Sequence, residues 1–139
     1  NNFDYIIKNI PKIKFTYLSG TNYTKREDIK KYKHLASAVL IIFSHSTLGY
    51  EFLSRYSKIV SYNHTNYKPR LNQNYPNSGP FWYCGNSAKK LEKKISKVLT
   101  QKNTDWNKLA KYFSGKIMIY DKNNSIRKKL IRKYLTLGN

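Results

Sequence analysis

Val39-Leu40-Ile41-Ile42-Phe43 runs directly into Ser44-His45-Ser46-Thr47-Leu48-Gly49-Tyr50-Glu51, and a second apolar run, Lys58-Ile59-Val60-Ser61-Tyr62, follows a short amphipathic segment. This order decides the fold: strand, hydroxyl-rich turn, helix, strand. The run at Val39 to Phe43 is apolar on both faces, as in parallel strands covered by helices. The turn then lies at the carboxyl end of the first strand, with the N–H groups of the helix start facing outward. Such a helix mouth binds phosphate.

Working outward, the flanking segments keep the same rhythm. Ile13, Phe15 and Tyr17 alternate, which predicts a strand through Leu18, and Ser19 to Asn22 is a turn. Phe3, Ile7 and Ile10 fall at helical spacing before Pro11. Thr24-Lys25-Arg26-Glu27 matches a capping box and starts a helix with Ile29, Tyr32, Leu35 and Ala36 inward. The expected fold is α/β, a Rossmann-like parallel sheet with flanking helices and right-handed crossovers.

Asn63 to Asn86 breaks the rhythm. It is rich in Asn, Tyr, Pro and Gly, reads as a long functional loop, and ends in Gly79-Pro80-Phe81-Trp82-Tyr83. Ser87 then caps a helix carrying Leu91, Ile95, Val98 and Leu99 on one face. Thr104 or Asp105 starts another, with Trp106, Leu109, Ala110 and Phe113 inward. Lys116 to Tyr120 is expected as a short strand or extended segment. Asn124 or Ser125 caps a last helix, whose apolar stripe is Ile126, Leu130, Ile131 and Tyr134 and whose polar face is strongly basic. Its commoner form is a surface helix packed on the core; the alternative is a helix lying on an anionic membrane.

The 139 residues fit one domain, and 40% hydrophobic residues suffice for a core. The first residue, Asn1, is not Met, so the chain is expected to be a fragment of a larger protein. No run is long enough to span a bilayer, and no basic-then-apolar leader opens the chain. One cysteine, Cys84, excludes an internal disulfide and a cysteine-built metal site, and a free thiol suits the cytoplasm. No metal is expected, since the three histidines lack ligand spacing. There are 27 Lys plus Arg against 7 Asp plus Glu, a net charge of +20. Abundant Lys, Asn, Ile and Tyr also fit AT-rich coding. Either way the charge favours phosphorylated ligands, anionic lipid or nucleic acid.

The candidate phosphate- and nucleotide-binding residues are Ser46, Thr47, Gly49 and Glu51. Hydroxyls at a helix start also cap the helix. Gly49 removes a side chain from the first turn and would let a ligand approach the backbone. Glu51 lies four residues after Thr47, on the same side of the helix, and is the lone acid between Asp28 and Glu92. It would accept hydrogen bonds from ribose hydroxyls, or serve as a dipole or salt-bridge partner. His45 is a weak catalytic candidate, either a donor to phosphate or a simply satisfied polar group. Phe81 and Trp82, with Tyr83, would stack on a base or sugar or else plug the core edge. Lys68 and Arg70 are weaker phosphate candidates.

Ser46-Thr47-Leu48-Gly49-Tyr50-Glu51-Phe52-Leu53 resembles the S-T-x-G-x-E-A-L motif of bacterial surface-carbohydrate biosynthesis transferases. Gly79-Pro80-Phe81-Trp82 and Met118-Ile119-Tyr120-Asp121 before a helix add to the likeness, which spans from about Phe15 to the end. The resemblance implies the C-terminal, donor-binding half of a two-Rossmann-domain (GT-B) glycosyltransferase of surface polysaccharide or capsule synthesis. It implies a nucleotide-sugar donor, possibly CMP-linked, no other cofactor, and a glycan or lipid-linked acceptor at the inner face of the inner membrane. The half without its acceptor domain would transfer little or nothing. Two departures stand out: His45 where an acid is usual before Ser-Thr, and Phe52 where a small residue is usual after the Glu. The rival readings are a basic nucleic-acid-binding module, whose affinity would fall steeply with salt, and a non-catalytic remnant that packs on a partner.

Overall fold

The structure, a computed structural model, describes residues 16, 25–44, 46–63 and 79–136. The expected helix around Phe3, the turn at Ser19, Thr24, His45, and Lys68 and Arg70 lie outside the described residues, as does the expected strand at Ile13 apart from Thr16. The elements run α1 (Lys25–Ala36), β1 (Ile41–Phe43), α2 (Thr47–Ser54), β2 (Ile59–Asn63), β3 (Trp82–Cys84), α3 (Ala88–Thr100), α4 (Asn103–Ile117) and α5 (Ser125–Thr136).

The three strands form one parallel sheet in the order β1-β2-β3. Ile41 pairs with Ile59 and Phe43 with Ser61, which in turn pairs with Trp82. Side chains alternate across a sheet, so this register puts Ile41, Phe43, Ile59, Ser61 and Trp82 on one face. Val60, Tyr62 and Tyr83 share the other. The architecture is α/β and Rossmann-like, as the apolar runs imply.

Helix α2 packs on the first face, against β1, β2 and α4. Its Tyr50 ring meets Phe43 edge-on, with centroids 5.0 Å apart. The buried Trp82 indole donates to the Tyr50 hydroxyl at 2.9 Å, and that hydroxyl reaches Ser61 Oγ at 3.4 Å. A buried polar group without a partner costs heavily, and this chain of bonds leaves none here. α2 ends in a Schellman turn: Tyr56 N–H donates to Leu53 O and Ser57 N–H to Phe52 O. Tyr56 occupies the left-handed position, at φ 66°, where glycine is usual. The Trp106 indole of α4 donates to the carbonyls of Tyr56 and Ser57, which fastens α4 to the same corner. Lys58 follows, and its ammonium donates to Leu99 O at 2.8 Å and Gln101 O at 2.7 Å, satisfying the last carbonyls of α3.

Three boundaries and one helix cap differ from the sequence expectation. The first strand begins at Ile41, not Val39, because β2 starts its ladder only at Ile59; Val39 is left 77% exposed. The Asn- and Pro-rich loop ends in a strand, β3, which its composition hides. α4 starts at Asn103 without a side-chain cap and runs to Ile117, so the extended segment is shorter than expected and begins at Met118. Finally, α5 takes its N-terminal bonds from Asp121, whose carboxylate accepts from the Ser125 hydroxyl at 2.8 Å and the Ile126 N–H at 2.7 Å.

Candidate functional site

The carboxyl edge of the sheet gathers the ends of β1, β2 and β3. Beyond Phe43 stand Ser44, Ser46 and Thr47; at the ends of the other strands stand Asn63 and Cys84. Ser46 has extended backbone and caps α2, its hydroxyl accepting from Leu48 N–H at 3.3 Å. Thr47, the first helical residue, is exposed. The first turn of α2 contains no acidic residue. The partial charge at the helix start, about half a positive charge, is therefore not neutralised from within the turn. Thr47 thus stands exposed at a helix start whose first turn holds no acid.

Gly49 plays a different part from the one its position suggests. It is buried, and a Cβ built on it would run into the Phe43 ring. The room that the missing side chain leaves is taken by Phe43, so the glycine brings α2 close to β1 rather than a ligand close to the backbone.

Glu51 is likewise engaged within the protein. One carboxylate oxygen accepts from the Tyr32 hydroxyl of α1 at 2.6 Å, the other from the Arg55 guanidinium at 2.7 Å. Arg55 also lies over the Tyr120 ring at 4.5 Å and near Phe52 at 5.6 Å. The i,i+4 spacing of Glu51 and Arg55 was visible in the chain; Tyr32 and Tyr120, distant in sequence, gave no such signal. This cluster ties α1, α2 and the segment after α4 together.

Phe81 and Trp82, expected to cover a base or sugar, are core residues at 0% and 5% exposure. Phe81 meets Trp106 and Phe113 edge-on, and Trp82 meets Phe113. Two large rings, one just before and one on the three-residue β3, find their burial on α4. Tyr83 points to the other face and stacks on Tyr62, with centroids 5.8 Å apart at 11°. Burial first, then the neighbouring Tyr83 and Cys84, push the Tyr62 hydroxyl above its ordinary pKa. Tyr83 in turn donates to Ser87 O and accepts from Ser87 N–H, both at 3.0 Å. Gly85 makes the turn between them at φ 143°, in backbone that favours glycine.

A concavity of about 310 Å³ opens at the opposite, amino edge between Val39, Tyr56, Asn103 and Trp106. The Trp106 indole and Lys58 ammonium on its wall are already bonded to backbone carbonyls. Among the described residues no group of His, Cys, Asp and Glu could hold a metal ion.

A family model described as "putative O-antigen biosynthesis protein" matches residues 1–135. The chain belongs to that family. No curated protein and no solved structure matches the chain. Membership of the O-antigen biosynthesis family agrees with the surface-carbohydrate likeness of the Ser46 to Leu53 motif, and the motif falls on the α2 mouth just described.

Proposed function

We propose that this chain is the nucleotide-sugar-binding half of a glycosyltransferase of surface-polysaccharide synthesis, with the donor phosphate at the mouth of α2. One observation carries the reading: in a chain of the O-antigen biosynthesis family, an exposed Thr47 opens a helix without first-turn acids at the carboxyl edge of a parallel sheet. The likeness to GT-B enzymes supports a second, acceptor-binding half and a CMP-linked sugar as first donor candidate.

In such a transfer the acceptor hydroxyl forms a bond to the anomeric carbon as the sugar–phosphate bond breaks. The electron pair leaves with the nucleotide phosphate, and the hydroxyl proton passes to a base. The chain's part is the clamp: Thr47 and the α2 amides stabilise charge that grows on the leaving phosphate. The base is assigned to the acceptor half, so this half alone binds donor without turnover. The reaction is placed at the cytoplasmic face of the inner membrane.

A second reading, a Rossmann-like scaffold that binds a partner protein and no nucleotide, is favoured by Gly49 and Glu51, whose contacts are wholly internal. Titration with CMP and UDP, followed by backbone amide NMR, separates the two. Saturable shifts confined to residues 46 to 51, abolished by Thr47→Val, are expected. Unmoved spectra with both nucleotides would leave the scaffold reading standing.

A further inference from the structure

Helix α5 is built like a core helix and is not packed like one. Every residue from Lys122 to Lys133 is exposed, including the apolar Ile126 (47%), Leu130 (50%) and Ile131 (49%). Ile119, just before it, is 62% exposed. Yet the helix is firmly started. Asp121 bonds its first turn, and Tyr120, next to Asp121, lies under the Arg55 guanidinium. The sequence after Asp121 carries Lys122, Arg127, Lys128, Lys129, Arg132 and Lys133 and no acid.

We propose that α5 is an interfacial anchor that lays Ile126, Leu130 and Ile131 into the surface of an anionic bilayer while its basic residues meet the lipid headgroups. Charge complementarity selects this occupant. A second copy of α5 would bring like charges together along the whole helix. A nucleic acid would be served by the basic residues and would leave the aliphatic ones in water. A bilayer surface with acidic headgroups satisfies both at once. Twelve residues make a helix of about 18 Å, too short to cross hydrocarbon but suited to lying along it. No helix among the described residues is long and apolar enough to span a membrane. The inference is independent of the donor-site reading.

Co-sedimentation of the chain with lipid vesicles tests it. Binding is expected to vesicles of phosphatidylcholine mixed with phosphatidylglycerol and not to phosphatidylcholine alone. Neutralising two charges, Lys128→Gln with Arg132→Gln, should weaken binding about 25-fold, at about fivefold per charge. The pair Leu130→Ser with Ile131→Ser keeps every charge and should weaken it at least about tenfold. Circular dichroism and thermal melting check that both variants remain folded, as exposed positions should allow. The proposal is overturned if the acidic vesicles leave the protein in the supernatant, or if the serine pair binds as well as the parent. It is also overturned if the serine pair abolishes a dimer seen by sedimentation in the absence of lipid.

Discussion

Helices α3 and α5 are alike in composition and opposites in the fold. AKKLEKKISKVLT and SIRKKLIRKYLT each carry aliphatic residues at helical spacing among lysines and arginines. In α3, Leu91, Ile95 and Val98 are each 1% exposed; in α5, Ile126, Leu130 and Ile131 are about half exposed. They differ in how tightly the apolar residues gather on one face, and in where the chain puts them. α3 follows β3 and falls back onto the sheet against β2, while α5 follows the end of α4 and an extended segment. A periodic stripe specifies that a face seeks cover and does not say what covers it.

The largest test of this contrast is a pair of truncations read by chemical denaturation. Ile95→Ala in α3 should cost about 2–5 kcal/mol, because a buried methylene cluster leaves a cavity. Ile131→Ala in α5 should stay within about 0.5 kcal/mol, as exposed changes do. Equal costs would mean that α5 is packed in solution and the contrast is false.

A smaller effect is expected where α2 meets β1. Gly49→Ala should cost about 1–3 kcal/mol by overpacking against Phe43. Combined with Phe43→Leu, it should cost less than the sum of the two single changes, since both act on one contact. Strict additivity would show that the glycine is not there for the ring.

The smallest effect is local and depends on pH. Desolvation pushes the Asp121 pKa up. Hydrogen bonds from the Ser125 hydroxyl and from the backbone N–H groups of Ser125, Ile126 and Arg127 together outweigh it and hold the value below the ordinary 3.8. A depressed carboxylate pKa contributes stability that is present above 3.8 and lost as pH falls through the folded value. Acidification through that range should fray the first turn of α5 in amide NMR spectra while Leu91 and Ile95 of α3 stay unchanged. Asp121→Asn should show weakened first-turn signals already at neutral pH. An α5 indifferent to both would remove Asp121 from its start.

The sequence made the β1-α2-β2 unit readable because apolar runs and a hydroxyl turn are local signals. The core face of α4 was readable too, through Trp106 and Ala110 one turn apart. The third strand was not, because Trp82-Tyr83-Cys84 is too short for an alternation and sits in loop composition. At the candidate site, Ser46 and Thr47 fell where their spacing implied, at the start of α2. The parts of Gly49 and Glu51 stayed hidden, because they depend on where the Phe43 ring and the Tyr32 hydroxyl arrive in space. Phe81 and Trp82 looked like loop aromatics until α4 provided rings to bury them.

The corner formed by the Schellman turn, the Trp106 indole and the Lys58 ammonium joins the end of α2, the entry of β2, the exit of α3 and the start of α4. With Trp106 buried and several bonds crossing it, this part-buried junction resists local opening. The tail helix hangs instead from Asp121 and from the Tyr120 ring, which lies under the side chain of Arg55, the residue that caps α2 at that corner. Losing the first turn of α5 breaks the Asp121 bonds and leaves the backbone bonds of the Schellman turn in place.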